Sequence, residues 1–465
     1  MTEIKNIRIE KLFGEKDYEI RLENNRLILV AENGAGKTTI VNIIYFFISR
    51  QWTKLLRYEF FAIEIKLEKN TIRLEKNEID ILNSDKLNRL LRRYTPAVRE
   101  RVNAFLQNQD FSIFSNDYEK LEYIADDYRL PKSLIMEISR YAEREQINLF
   151  ESTLREKEQL LSSLINTQVL YLPTYRRIEQ DLSNILPDLK EELNSYRRKK
   201  YRQLSHERET GFVELVEFGM EDVVEKVNQK LNHLREDFNS NLKTNLTGGY
   251  LKDVINKNYS KITYNQIESL TPESLERIFD RIDEDVLSNN EKSKLNQFVS
   301  DIREGGTIEK EENKILAYFI YKLTTIYSKL EKDEKEIAEF IKICNDYSSN
   351  KVFLYDYVNF QILIRPLKKG KIDFQKPIEF SNLSSGEKQI VSLFSHIYLS
   401  TSKNYIVIID EPELSLSVSW QKRFLTDIEN NDKCLGLIAV THSPFIFENK
   451  LERYAHGLNE FETKF

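Results

Sequence analysis

The run Ala31-Glu32-Asn33-Gly34-Ala35-Gly36-Lys37-Thr38-Thr39 carries what a phosphate needs. Small residues let backbone N–H groups turn inward around an anion. The lysine reaches β- and γ-phosphates, and the hydroxyl after it can ligate Mg2+. The pattern is the phosphate-binding loop G-x-x-x-x-G-K-[ST], with Ala31 replacing the first glycine at a strand end, where it changes the turn little. A second cluster follows the apolar run Tyr405–Ile409 as Asp410-Glu411-Pro412. At the end of a buried strand, Asp410 is assigned to Mg2+ through water and Glu411 to the attacking water as general base. Further on, Leu437–Val440 runs into Thr441-His442-Ser443-Pro444, and His442 is assigned to the γ-phosphate and the water. The expected chemistry is ATP hydrolysis with Mg2+. Asn33, Gly34, Ala35, Gly36, Lys37, Thr38 and Thr39 bind the nucleotide, Thr38 and Asp410 the metal, and Glu411 and His442 act in catalysis.

These residues need strands that end where a helix begins. Leu27–Val30 is a buried-type strand before the loop, and Thr39–Ile48 has a helical pattern after it. Ile4–Ile9 alternates as a half-buried strand does. Phe60–Leu67 and Thr71–Leu74 read as an antiparallel pair split by Glu68–Asn70. Charged helical sequence fills Asn83–Asn166, and a strand, Gln168–Leu172, stops at Pro173. Val224, Val227, Leu231, Leu234, Phe238 and Leu242 form a narrow apolar seam. So do Leu316, Phe319, Leu323, Ile326 and Leu330, continued by Ile337 and Ile341. Glycine pairs at 248–249 and 305–306 break helices between the seams. The pattern predicts either a helical arm that leaves and rejoins the core or a compact helical subdomain. Strand signals return at Lys351–Arg365, and Ser381–Thr441 alternates helix and strand like a parallel α/β unit. The expected segments are 1–82 and 351–465 as two lobes of a head, 83–166 as a helical insertion, 167–182 as a middle strand and loop, and 183–350 as a helical, coiled-coil arm.

A chain of 465 residues exceeds one ordinary core. With 40% hydrophobic and 31% charged residues and few Gly or Pro, it reads as a soluble, helix-rich protein. Its net charge of −6 argues against coating duplex DNA. Cys344 and Cys434 have no metal-ligand spacing and read as reduced thiols. The charged N-terminus is no signal peptide and no apolar run spans a bilayer, so a cytoplasmic location and no membrane partner are expected.

Leu383-Ser384-Ser385-Gly386-Glu387-Lys388-Gln389, followed by the apolar run Ile390–Leu399, resembles the signature motif of the ABC ATPase superfamily in its SMC and RecF-like branches. The resemblance implies an α/β ABC-type ATPase head: a mixed sheet with a P-loop core, an antiparallel β subdomain and a large helical, partly coiled-coil insertion. It also implies a composite site. Ser384, Ser385, Gly386 and Glu387 act in trans on the γ-phosphate held by a second copy, so the chain works as a head-to-tail homo-oligomer. The superfamily usually places a Mg2+-contacting Gln after the middle strand. Here Pro173-Thr174-Tyr175-Arg176-Arg177 follows, so Thr174, Arg176 and Arg177 are the residues to consider at that loop.

The segments Tyr171–Glu179, Glu411–Ser417 with Trp420-Gln421, and Thr441–Phe445 resemble ATPase subunits of bacterial anti-phage defence systems, the PARIS type first and the Septu type next. That resemblance implies a multimeric ATPase that holds a separate Toprim-type nuclease and releases it when a phage-encoded trigger is sensed. With 23 residues after His442, no HNH or Toprim-like domain is expected on the same chain. The basic cluster Arg197–Arg202 reads as a solvated face or a contact for an acidic protein, with nucleic acid as the alternative. A DNA-repair or DNA-clamping ATPase of SMC or RecF type is the competing function.

Overall fold

Alternation at the N-terminus produces a strand, β1 (Ile4–Leu12), that buries Ile4, Ile7, Ile9 and Leu12. In this computed structural model the described residues are 3–30, 34–79, 91, 93–96, 98–99, 101–102, 121–122, 125–126, 128–138, 152–173, 212–214, 220–263, 272–282, 284–304, 308–400 and 404–463. The chain forms two units, Met1–Val216 with Ser402–Phe465, and Glu217–Thr401.

Among the described residues the first unit contains two sheets. β1 pairs antiparallel with β2 (Lys16–Arg21) and with β4 (Ala62–Leu67). β4 pairs antiparallel with β5 (Thr71–Glu75), as the alternation predicts, and β14 (Glu462–Thr463) closes the other edge on β2. The second sheet has the order β13-β3-β12-β11-β6-β7. Its strands are β3 (Arg26–Val30), β6 (Gln168–Leu172), β7 (Phe212–Glu214), β11 (Tyr405–Asp410), β12 (Cys434–Thr441) and β13 (Ala455–Gly457). Every described pairing within it is parallel. Continuous apolar runs such as Ile406–Ile409 suit that environment, because a central parallel strand is covered on both faces.

Helix α1 (Lys37–Ile48) belongs to the core of this unit. Ile40, Val41, Ile43, Ile44, Tyr45 and Phe47 are fully buried, so apolar side chains face outward all round, as in a helix enclosed by protein. Each such side chain contributes ~1.5–3 kcal/mol of burial. Tyr45 stacks on Tyr171 of β6 with ring centroids 4.1 Å apart, and the Tyr171 hydroxyl donates to Asn42. The longer described helices here also include α2 (Ser152–Leu164) and α8 (Val418–Glu429). Lys157 of α2 pairs with Glu78, and Arg26 of β3 pairs with Glu429 of α8 at 3.0 Å.

The second unit is built around α6 (Glu311–Asp346), whose 36 residues make a helix ~54 Å long at 1.5 Å per residue. α3 (Glu221–Leu242) runs antiparallel to it: Lys230 pairs with Glu336 at 2.7 Å, and the Tyr250 ring, past the α3 end, packs on Phe319. The seams are shifted from those expected. Val223 is buried, not Val224. Ala317 and Ile320 are buried while Leu316 is 38% exposed. The cause is a broader contact than a two-helix seam. α4 (Pro272–Phe279) and α5 (Asn289–Arg303) bury Leu275, Ile278, Leu295, Val299 and Ile302 against Ala317, Ile320 and Leu323 of α6. The described helices therefore form a packed subdomain around the first half of α6.

β8 (Lys351–Asp356) and β9 (Gln361–Lys368) form a hairpin, with β10 (Lys371–Ile372) on its edge. The signature segment opens α7 (Ser385–Leu399). The unit boundary at 401/402 differs from the one the pattern suggested at 350/351. The strand signals at Lys351–Arg365 and the helix–strand pattern of Ser381–Thr441 suggest one C-terminal segment from 351, whereas β8 and α7 both pack on α6. Arg281 fixes the helical root: it is 2% exposed, paired with Glu334 at 2.8 Å and enclosed by the Tyr327, Tyr357 and Phe360 rings. Tyr355 of β8 donates to the same Glu334 at 2.6 Å. No described helix is long and apolar enough to cross a membrane.

Candidate active site

Parallel register assembles the site. Val30 lies opposite Thr441, Val440 opposite Asp410, and Ile409 opposite Leu172. The C-terminal ends of β3, β12, β11 and β6 thus share one edge, where open α/β sheets bind ligands. Asp410 at the end of β11, and Glu411 and His442 just past β11 and β12, lie there, and the Lys37 ammonium is near enough to feel the Glu411, Asp410 and Glu413 carboxylates.

The phosphate loop ends in two left-handed turns, Gly34 at φ +81° and Gly36 at φ +83°. Only glycine takes that conformation without strain. Gly36 is the N-cap of α1, so the free N–H groups of the first turn and the positive end of the helix dipole open on the loop. Gly34, Ala35 and Thr38 are exposed, Thr39 is half-buried, and Lys37 is buried. Burial lowers the Lys37 ammonium below the ordinary lysine range. The nearby carboxylates of Glu411, Asp410 and Glu413 oppose that shift. Asn33 lies outside the described residues, as do Thr174, Arg176, Arg177 and Arg197–Arg202.

Asp410 is fully buried at the end of β11. Glu411 continues the ladder by donating its N–H to Val440 O at 2.8 Å, then turns into the left-handed region at φ +50°. A non-glycine residue held there stores of order 1–3 kcal/mol, a cost typical of functional sites. The turn carries its carboxylate to 4.0 Å from His442 Nε2. Burial raises the Glu411 carboxyl above the usual range, Asp410 and Glu413 push it further, and His442 and Lys37 pull it back. A base of raised basicity beside a histidine suits proton abstraction from water.

Two oxygen ligands from the protein fit Mg2+, which binds through one or two side chains together with phosphates and water. The Thr38 hydroxyl, exposed in the first turn of α1, and the buried Asp410 carboxylate are the residues that would hold it. When bound, the ion would neutralise phosphate charge.

Three residues that motif spacing did not assign also belong to the site. Glu413 accepts from Thr441 Oγ1 with one oxygen and from the His442 N–H with the other, both at 2.7 Å. Gln421 of α8 accepts from Ser443 Oγ at 2.7 Å and donates to Leu416 O at 2.9 Å. Together they pin the turn that carries His442. Phe13, in the β1–β2 turn, is 51% exposed in the left-handed region at φ +55°. Its ring lies so near the loop that a β-carbon on Gly36 would be 3.1 Å from Phe13 Cε2, an open aromatic face able to stack on a planar base. A Phe-Gly pair between two alternating strands was the only hint of this in the sequence.

In the second unit, Ser384 caps α7 in a capping box with Glu387. Ser384 and Ser385 are exposed, and Gly386 and Glu387 are buried. The helix thus presents hydroxyls and free N–H groups at an exposed N-terminus. Cys344 and Cys434 are buried, and burial pushes the Cys434 thiol up to about 12.

Residues 3–447 match the family described as the AAA ATPase domain. The chain belongs to that family. The Retron Vc95 probable ATPase of Vibrio cholerae serotype O1 biovar El Tor is 25% identical to this AAA ATPase domain chain over 227 residues, 46% of the chain and 38% of that protein. The chain therefore spans well under two-thirds of that relative's length. The Smc head domain with an extended coiled coil, bound to the C-terminal domain of ScpA, from Pyrococcus furiosus aligns with 96% of this chain and 91% of its own, at 10% identity and a TM-score of 0.33. The Smc head domain with a coiled coil and joint from Pyrococcus yayanosii covers 96% and 93%, at 10% identity and a TM-score of 0.31. Superpositions this loose leave the fold to be read from strand order and register.

Proposed function

We propose that the chain hydrolyses ATP in a site shared between two copies. One copy supplies Gly34–Thr39, Asp410, Glu411 and His442; the other supplies Ser384–Glu387. The observation that supports hydrolysis here is the sheet register, which brings the ends of β3, β11 and β12 together with the Glu411–His442 pair; sharing between copies is supported by the signature-motif resemblance. On this reading Lys37 and the loop N–H groups grip the β- and γ-phosphates, Glu411 takes a proton from water, and His442 orients that water. The shared site would govern an assembly that restrains a separate Toprim-type nuclease until a phage trigger arrives, as in PARIS-type defence, with the Septu type next. The motif resemblance supports that role, and similarity to a retron's probable ATPase supports an ATPase component of such a system.

A mixing experiment tests the shared site. Lys37→Ala and Ser384→Ala chains, each inactive alone, should regain hydrolysis when combined, because one of the two sites in a mixed pair is intact. Failure to recover any activity would reject sharing. Glu411→Gln should bind ATP, slow hydrolysis by ~10²-fold or more and stabilise the oligomer. Binding of a neighbouring nuclease gene's product, lost on triggering, tests the effector role; salt-sensitive DNA binding stimulated by ATP would favour a DNA clamp instead.

A further inference from the structure

The signature segment is more elaborate than a helix cap requires. Ser384 Oγ and Ser384 N both donate to Glu387 Oε2 at 2.8 Å, and Glu387 N donates to Ser384 Oγ at 3.4 Å. That completes a capping box. Behind it stands Lys351, at the start of β8, with Nζ 2.8 Å and 2.7 Å from the two Glu387 oxygens. Both partners are largely buried, their side chains 15% and 8% exposed. The arrangement is layered: exposed hydroxyls at a helix N-terminus, a buried carboxylate behind them, and a buried ammonium behind that.

We propose that Lys351 is a positioning residue of the composite ATP site, neutralising Glu387 so that Ser384 and the α7 N-terminus can accept the γ-phosphate held by a second copy. This rests on the shared-site reading. A phosphate arriving at Ser384 Oγ meets a carboxylate 2.8 Å behind that hydroxyl, and in a partly buried setting the repulsion is weakly screened. Losing the carboxylate's charge by protonation would weaken the acceptor that holds the Ser384 N–H. Lys351 removes the repulsion and keeps the acceptor. Both Glu387 oxygens stay fixed, and the Ser384 hydroxyl can turn its proton to the phosphate while its N–H remains bound. Burial pushes the Glu387 carboxyl up, but Lys351 and the Ser384 donors more than offset it, so the group stays ionised.

The test uses the full chain. Lys351→Met should leave ATP affinity at the Lys37 loop within about twofold and cut kcat at least tenfold, because the lost interaction acts on the transferring phosphate. Lys351→Arg keeps the charge and should stay within about threefold of the parent. Lys351→Met with Glu387→Gln removes both charges and should recover part of the loss, severalfold above Lys351→Met but below the parent, because the amide oxygen is a weaker acceptor for the Ser384 N–H than the carboxylate. If Lys351→Met does not fold, the two rescued variants carry the test and both must be active. Parental kcat in Lys351→Met overturns the inference, and so does a folded double variant no better than the single one. If Ser384→Ala keeps full activity, the shared-site reading itself fails. If Ser384→Ala is impaired and Lys351→Met is not, that reading stands and only the role of Lys351 falls.

Discussion

Glu413 gives the sharpest test of how the site is held. Its two oxygens accept from Thr441 Oγ1 and the His442 N–H, each at 2.7 Å. A hydrogen bond to a charged group contributes ~1.5–3 kcal/mol. Glu413 is half-buried, so water replaces part of what Glu413→Ala removes, leaving a stability loss of about 1–3 kcal/mol. Catalysis should suffer more. Among the described residues, the His442 backbone loses its carboxylate anchor, and a displacement of ~1 Å costs on the order of 10²-fold in rate. The expected result is kcat down ~10- to 100-fold with ATP affinity changed less than about threefold. The carboxylate also helps raise Glu411, so the acid limb of the rate profile should move to lower pH. Steady-state hydrolysis from about pH 5 to 8, with nucleotide titration and thermal unfolding, measures these effects. Adding Glu413→Ala to His442→Ala should slow hydrolysis far less than Glu413→Ala slows the parent, since most of its effect acts through His442. A Glu413→Ala chain with the parental kcat and pH profile would refute the reasoning.

Other outcomes follow from the same geometry. Gly36→Ala forces a β-carbon into φ +83° and to 3.1 Å from the Phe13 ring, costing ~1–2 kcal/mol for the backbone alone; nucleotide titration should show ATP binding weakened about tenfold or more. Adding Phe13→Ala should not restore it, because the backbone strain remains. In the parent, hydrolysis should fall as pH drops through a range above the ordinary carboxylate value. Glu411 works deprotonated, and burial with Asp410 and Glu413 raises it; a rate profile flat down to the ordinary carboxylate range would count against Glu411 as the base.

Much of this site was legible because its parts are local. Gly34–Thr39 and Asp410-Glu411 carry their chemistry in consecutive residues, and strands β3, β6 and β11 are continuous apolar runs. Strand order was not legible, since nothing in β12 says that it inserts between β3 and β11. Glu413 and Lys351 escaped notice because their partners lie 28 to 36 positions away. Periodicity found the helices of the second unit but shifted their buried faces: a seam inferred for two helices is narrower than the face α6 presents to α3, α4 and α5. A boundary at 350/351 follows from strand signals at Lys351–Arg365 and the helix–strand pattern of Ser381–Thr441, and neither signal says which helix those elements pack on.

The left-handed turn at Glu411 sets folding and chemistry against each other at a single codon. Glycine and asparagine relax φ +50°, so selection for folded abundance should enrich them at position 411. Selection for turnover should retain glutamate, which stores the strain. A deep mutational scan read out both ways would rank this position at opposite ends of its two lists.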